Sequence, residues 1–225
     1  THAYLGPRFS DAEIASYLDE AGAKYETLGE RELLERTARL LSEQNVVGWF
    51  QGRMEFGPRA LGGRSILADP RDASMRDTLN MKIKFREGFR PFAPSVLADR
   101  ASEWFDIVCD SPYMLLVAQV RVGKRVIPSV THVDNSARLQ TVSRDEAPLY
   151  YDLIAEFDKI TGVPIIINTS FNVRGEPIVC TPHDAYLCFM RTNMDHLVLG
   201  HHVLDKKEQP PLREDVDWRT LYELD

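Results

Sequence analysis

The sequence VPIIIN at residues 163–168 contains the clearest central-strand signal in this chain. It is a short apolar run with three consecutive β-branched residues, a pattern typical of a buried strand. Gly162 immediately before it predicts the end of a helix. The polar sequence TSFN follows at residues 169–172. The stretch therefore predicts a central strand that ends in hydroxyl and amide side chains.

Helices and strands alternate around this central strand. Capping boxes at Ser10 and Ser143, and Thr181 before Pro182, predict three helix starts. The first predicted helix begins at Ser10. The other predicted helices cover residues 30–43, 74–82, 148–160 and 182–191. The predicted strands cover residues 45–51, 95–97, 113–122, 163–168 and 196–199. The alternation predicts an α/β (α+β) fold, with a mixed twisted sheet and flanking helices, in a single domain over residues 10–225.

Residues 1–9 are broken by Gly6 and Pro7 and are predicted to be a linker or the tail of a preceding domain. The chain begins with Thr1, which suggests a segment of a longer polypeptide.

Its three cysteines form no CxxC pair, so we expect reduced thiols and a cytoplasmic location. No apolar run is long enough to cross a membrane. The net charge of −7 argues against sequence-independent binding of nucleic acid. The oligomeric state is left open.

Positive charge is concentrated in the stretch at residues 52–94. Between Arg53 and Arg90 there are nine lysines and arginines against five acidic residues, whereas the whole chain is acidic. Glycines and prolines interrupt this stretch, and apolar residues are interspersed. Cations on a glycine-rich backbone beside a core favour a pocket for an anion over a solvated face.

The sequence FGPRALGGRS at residues 56–65 places Arg59 and Arg64 five residues apart across a glycine-rich turn. Arginine binds phosphate with two parallel donors, and glycine lets backbone N–H groups approach the same anion. A structural turn whose arginines pair with nearby acids is an equal alternative. The pattern is not a Walker loop, because no GK[ST] follows at the required spacing.

Further along, Lys82, Lys84 and Arg86 would share one face of an extended segment. Like charges so close together favour a polyanionic ligand. Ser170 and Asn172, after the central strand, offer side chains that can donate to phosphate oxygens, although turn capping explains them equally well. His132 with Asp134 could couple proton transfer or bind a metal, although a structural role is more common for such a pair. We predict no metal site in this chain.

Four motifs, taken together and in order, resemble the carboxyl-terminal domain of the O-carbamoyltransferase family, which includes antibiotic-tailoring and nodulation-factor enzymes. They are GRMEFGPRALGGRSIL from Gly52, KFREGFRPFAPSVL from Lys84, HVDNSARLQTV from His132 and NTSFNVRGEPIV from Asn168. The resemblance covers most of residues 1–200. It implies a YrdC-like fold that uses ATP, with Mg²⁺ on the phosphates, and carbamoyl phosphate to form carbamoyl-adenylate. An absent amino-terminal domain, the only part expected to hold iron, would transfer the carbamoyl group to a hydroxyl in secondary metabolism.

The resemblance also implies roles for individual residues. Lys84 with Arg86, and Ser170 with Asn172, would hold the nucleotide phosphates. Arg59 and Arg64 are candidates for contacts to carbamoyl phosphate or pyrophosphate, and Arg138, Arg174 and His132 are further candidates. Two alternatives are a non-catalytic nucleotide-binding module that docks on a partner domain and a threonylcarbamoyl-adenylate synthase of tRNA modification.

Overall fold

A nine-stranded sheet forms the centre of the protein. A computed structural model describes residues 2–85, 87–88 and 90–212, with only the backbone of Lys82. The strands are β1 Glu26–Thr27, β2 Val47–Phe50, β3 Arg64–Ala68, β4 Ala93–Leu97, β5 Leu116–Gln119, β6 Ser136–Val142, β7 Ile165–Ser170, β8 His196–Leu199 and β9 His202–Asp205. Their order across the sheet is β1-β9-β8-β2-β3-β7-β4-β6-β5. The β2–β8 and β4–β6 pairs are parallel and the other pairs are antiparallel, so the predicted mixed sheet is confirmed.

Six α-helices flank the sheet in the described part of the chain. They are α1 Asp11–Glu20, α2 Glu30–Ser42, α3 Ser74–Thr78, α4 Ala101–Trp104, α5 Pro148–Thr161 and α6 Pro182–Arg191. Helices α2 and α5 pack against each other, α5 also packs on β4 and β7, and α6 packs on β2 and β8. One large apolar core contains residues from all of these elements, which confirms a single domain.

The predicted central strand is confirmed as β7. It lies between β3 and β4, and Ile165, Ile166 and Ile167 are fully buried. Gly162, at φ +73°, ends α5 in the left-handed conformation that glycine adopts without strain. The strand extends two residues further than predicted, to Ser170.

Two of the predicted helix caps are confirmed. Ser10 and Glu13 form a complete capping box at α1, and Thr181 forms one with Asp184 at α6. The helix predicted for residues 148–160 is confirmed as α5, but Ser143 does not cap it, because the helix begins five residues later at Pro148. The Ser143 hydroxyl still accepts a hydrogen bond from the Glu146 N–H at 3.3 Å, which makes a turn rather than a helix start.

Several strands differ from the predictions, and β1, β3 and β6 were not predicted. The strand predicted for residues 113–122 is only β5, and Met114 before it has a left-handed φ of +55° that breaks extended structure. The strand predicted for residues 95–97 is β4, which begins two residues earlier and lies inside the sheet between β7 and β6. Strand β9 was not predicted, because only two residues separate it from β8.

The sheet topology brings distant parts of the chain to one end. Strand β7 runs antiparallel to β3 and β4, so its carboxyl end lies beside the amino ends of both. The amino end of β6 lies at the same end, because β6 is parallel to β4. The loop between β2 and β3 also emerges there. Four segments carrying predicted site residues therefore meet at this end of the sheet. No helix among the described residues is long and apolar enough to cross a bilayer.

Candidate functional site

The glycine-rich loop between β2 and β3 is organised by a buried carboxylate, Glu55. Its Oε1 accepts hydrogen bonds from the N–H groups of Leu61 at 2.6 Å and Gly63 at 2.7 Å, and a longer one from Arg64. The Gly62 N–H donates to Ser65 Oγ at 3.0 Å. Gly62 and Gly63 were predicted to let backbone N–H groups approach an anion, and this is wrong for their own N–H groups, which already have partners inside the protein.

Arg64 is fully buried and holds this loop to its neighbours. Its guanidinium donates to the carbonyls of Gln51, Gly52, Gly63 and Pro7, and its Cζ lies 3.5 Å from the centre of the Phe50 ring. Burial lowers the pKa of Arg64 to about 10. The predicted contact of Arg64 with a phosphate gains no support from this geometry, because the side chain is enclosed by carbonyls.

The segment before α1 packs along the same loop. Gly6 N–H donates to the Met54 carbonyl and Met54 N–H donates to the Pro7 carbonyl, each at 2.9 Å. The Tyr4 hydroxyl donates to the carbonyl of Leu61 at 2.9 Å. Residues that were predicted to be a linker or tail thus help to fix the loop.

Gly62 is the position in this loop at which a side chain is least tolerable. Its φ is +110°, and an added Cβ would lie 2.4 Å from Cδ1 of Tyr150. Gly57, in the same loop, has φ +136° and no such neighbour within 4 Å. We expect both Gly→Ala variants to carry backbone strain, and Gly62→Ala to lose about 1–3 kcal/mol more because of the clash. Urea unfolding measures both, and equal losses would contradict the clash.

The predicted phosphate-binding residues Lys84, Ser170 and Asn172 are brought into contact. Lys84 is 3% exposed, and its ammonium donates to the carbonyl of Ser170, and at 2.8 Å to both the carbonyl and the side-chain oxygen of Asn172. Ser170 Oγ donates to the same side-chain oxygen at 2.7 Å. A buried cation therefore sits on the polar turn that follows β7, as expected if the two motifs form one site.

The chain reaches Lys84 through a wide helical turn. Helix α3 is followed by a π-helical turn, Leu79–Ile83, with Lys84 as its helical C-cap, so the backbone of residues 82–84 is not in the predicted extended conformation. Phe85 then adopts φ +49°, an uncommon conformation for a bulky residue. This strained position lies between Lys84 and Arg86, and such strain is frequent at ligand-binding sites. Arg86 itself lies outside the described residues, so its predicted role stays a prediction.

Two arginines line a cavity of about 180 Å³ at this end of the sheet. Its walls include Arg59, Ala60, Arg138, Asn168, Thr169 and Ser170. Arg59 is exposed, whereas Arg138 is half-buried on β6, and burial and the charge of Arg59 both lower the pKa of Arg138. Neither arginine side chain has a hydrogen-bond or ion-pair partner among the described residues. An anion between them would relieve their repulsion.

His132 and Arg174 lie at the margins of this arrangement. His132 Nδ1 is 3.0 Å from the Ser136 hydroxyl, which donates to Asp134 at 2.7 Å, so the predicted HxD pair forms part of a turn before β6. Arg174 lies 3.9 Å from the carboxylate of Glu87 and connects the turn after β7 to the segment after Lys84. Neither lines the cavity beside Arg59 and Arg138.

A comparison with family models identifies most of these elements as a known unit. Residues 38–206 match the model described as the carbamoyltransferase C-terminus. The chain belongs to this family. The match includes the loop of Glu55, Lys84, Arg138 and the turn after β7.

Curated relatives agree with this assignment. The chain is 46% identical to the nodulation protein NolNO of Sinorhizobium fredii, over 97% of this chain and 32% of the relative. It is 50% identical to an uncharacterised protein, sll1178, of Synechocystis, over 99% of this chain and 40% of the relative. The carbamoyltransferase domain therefore spans well under half the length of these relatives.

Two solved structures share the fold at low sequence identity. HypF, crystallised in a phosphate- and nucleotide-bound form, superposes with a TM-score of 0.53 over 75% of this chain and 25% of HypF, at 21% identity. Sua5 of P. abyssi, crystallised with L-threonine, gives a TM-score of 0.55 over 78% of this chain and 48% of Sua5, at 15% identity. These similarities establish the YrdC-like fold alone.

Proposed function

We propose that this domain binds ATP and carbamoyl phosphate and forms carbamoyl-adenylate. Water would first cleave carbamoyl phosphate to carbamate and phosphate. A carbamate oxygen would then attack the α-phosphorus of ATP, and the bond to the leaving pyrophosphate would break. One observation carries the proposal: two features lie at the same end of the sheet. Lys84 donates to the Ser170–Asn172 turn there, and Arg59 and Arg138 line a cavity there.

The arrangement suits a reaction between two anions. Carbamate is short-lived in water and repelled by the phosphates of ATP, so both reactants must be held together in a small, water-poor site. Arg59 and Arg138 can bind the phosphate of carbamoyl phosphate, because their positive charges face a common cavity. Fixed cations also stabilise negative charge that develops on the leaving pyrophosphate.

Lys84, Ser170 and Asn172 would hold the nucleotide phosphates. The three protons of the Lys84 ammonium are shared among carbonyl and amide oxygens of the turn. A phosphate oxygen must therefore replace one of these acceptors or bind beside the ammonium. Mg²⁺ would be held by the phosphates and water, since no described cluster of three acidic, histidine or cysteine side chains is placed to bind it.

The next step would be transfer of the carbamoyl group to a hydroxyl by a part of the protein outside this chain. The relatives are longer than the region they share with it, which is consistent with a further domain. An amino-terminal acceptor domain carrying the iron, a cytoplasmic location and a place in secondary metabolism are part of this proposal.

Exchange of labelled pyrophosphate into ATP, dependent on carbamoyl phosphate, tests the proposal on the 225-residue chain. Exchange is expected with carbamoyl phosphate and not with threonine plus bicarbonate, which a threonylcarbamoyl-adenylate synthase would require. Tight ATP binding by calorimetry without any exchange would instead indicate a nucleotide-binding module and overturn the proposal for this chain.

A further inference from the structure

The side-chain oxygen of Asn168 is a buried acceptor without a hydrogen-bond partner among the described residues. Asn168 is 1% exposed, lies near the end of β7 and lines the cavity of Arg59 and Arg138. Buried polar atoms in folded proteins are almost always hydrogen-bonded. The unpaired oxygen of a residue that lines this cavity therefore points to a ligand that carries an N–H or O–H donor.

A network of buried side chains fixes which way the Asn168 amide points. Gln140 Nε2 donates to the carbonyl of Leu61 at 2.9 Å, so its Oε1 must face the other way. That Oε1 accepts from Ser95 Oγ at 2.6 Å and from Asn168 Nδ2 at 2.8 Å. Exchanging the oxygen and nitrogen of Asn168 would set two oxygens against each other, so the unpaired atom is the oxygen.

The same network anchors the loop that carries Arg59. Asn168 Nδ2 also donates to the carbonyl of Ala60 at 3.2 Å, and the Tyr150 hydroxyl donates to Ser95 Oγ at 2.9 Å. The Asn168 oxygen is therefore held at a fixed distance from the loop of Arg59. A preorganised acceptor beside a cation pair matches a small ligand with a phosphate at one end and an amide at the other.

We propose that the Asn168 side-chain oxygen accepts a hydrogen bond from the N–H of the carbamoyl group, and so lets the site distinguish carbamoyl phosphate from acyl phosphates of the same shape. The proposal rests on the proposed function and names a specificity determinant within it. Acetyl phosphate differs from carbamoyl phosphate only by a methyl group in place of the amide nitrogen. With the methyl group, the buried oxygen stays unpaired, which costs about tenfold to a hundredfold in affinity.

Two stable phosphonates test this directly by calorimetry on the 225-residue chain. Phosphonoacetamide carries the amide, acetonylphosphonate carries a methyl group in its place, and neither can be hydrolysed. We expect the wild-type chain to prefer phosphonoacetamide by about tenfold or more. Asn168→Ala is expected to remove this preference. Asn168→Ser shortens the side chain by one bond and moves its oxygen away from the ligand, so it is also expected to remove the preference. This variant replaces Asn168→Ala in the test if the alanine variant does not fold.

Ser95→Ala is the matched control, because it breaks the same network without touching Asn168. It is expected to keep the preference for phosphonoacetamide even if the affinity for both phosphonates falls.

Two results would overturn the inference: a wild-type chain with no preference for phosphonoacetamide, or an Asn168 variant that keeps this preference. Pyrophosphate exchange could still support the proposed function in either case. Asn168→Ala could instead change the preference for ATP over inosine triphosphate, which lacks the amino group of adenine. That result would place the Asn168 oxygen against the adenine amine and would also overturn the inference. If the wild-type chain shows no pyrophosphate exchange, the proposed function fails, and the role of Asn168 that rests on it fails too.

Discussion

Replacing Lys84 by methionine is expected to reduce carbamoyl-phosphate-dependent pyrophosphate exchange by about 10²–10³-fold, the usual cost of removing one charged donor from such a site. The physical reason is that Lys84 places a positive charge on the turn of Ser170 and Asn172, where the nucleotide phosphates are proposed to bind. Affinity for ATP is expected to fall, whereas affinity for adenosine, which lacks phosphates, should change little. Calorimetry with the two ligands separates these effects.

Lys159→Met provides the control for this prediction. Lys159 is an exposed lysine on α5 that forms a surface ion pair with Glu156, so its replacement should alter exchange by less than about twofold. Because Lys84 also satisfies buried carbonyls, Lys84→Met should unfold at a lower urea concentration, and exchange must be measured where it is folded. A folded Lys84→Met chain with wild-type exchange and ATP affinity would contradict the role of Lys84.

Much of the fold could be predicted from the sequence because its strongest signals are local. The apolar run at residues 163–168 is stable only when it is buried. The capping boxes at Ser10 and Thr181 are each complete within four residues. The prediction failed where a residue depends on distant partners. Strand β9 forms only by pairing with β8 and β1, and the Ser143 hydroxyl accepts a hydrogen bond within a turn instead of capping the helix that begins at Pro148.

The site shows the same limit. Charge counting identified the loop at residues 52–64 but could not separate a binding arginine from a structural one. Glu55 is one acid among many in the sequence, yet it takes up the backbone donors of the loop from inside the protein. The carbonyls that surround Arg64 come from three segments, including the chain before α1. Asn168 likewise has an ordinary sequence context, and only the network around it reveals its unpaired oxygen.

Arg59 and Arg64 are therefore expected to respond in opposite ways to replacement by alanine. Arg59 is exposed and has no described partner, so Arg59→Ala should keep the stability of the chain and reduce exchange by about 10²–10³-fold. Arg64→Ala leaves buried carbonyls unpaired and a void beside Phe50. We expect it to lose about 3–5 kcal/mol of unfolding free energy. Arg64→Lys should also be destabilising, since lysine lacks the planar fork that reaches several carbonyls.

Thermal unfolding and pyrophosphate exchange, measured on the same samples, distinguish the two roles. For Arg64→Lys, exchange per folded molecule is expected to stay within about fivefold of the wild type, because the guanidinium is enclosed by carbonyls and apart from the cavity. A stable Arg64→Ala chain that had lost exchange would instead restore the direct anion contact predicted from the sequence. An Arg59→Ala chain with full exchange would show that the half-buried Arg138 alone carries the charge of the cavity, because the two arginines are the described cations that line it.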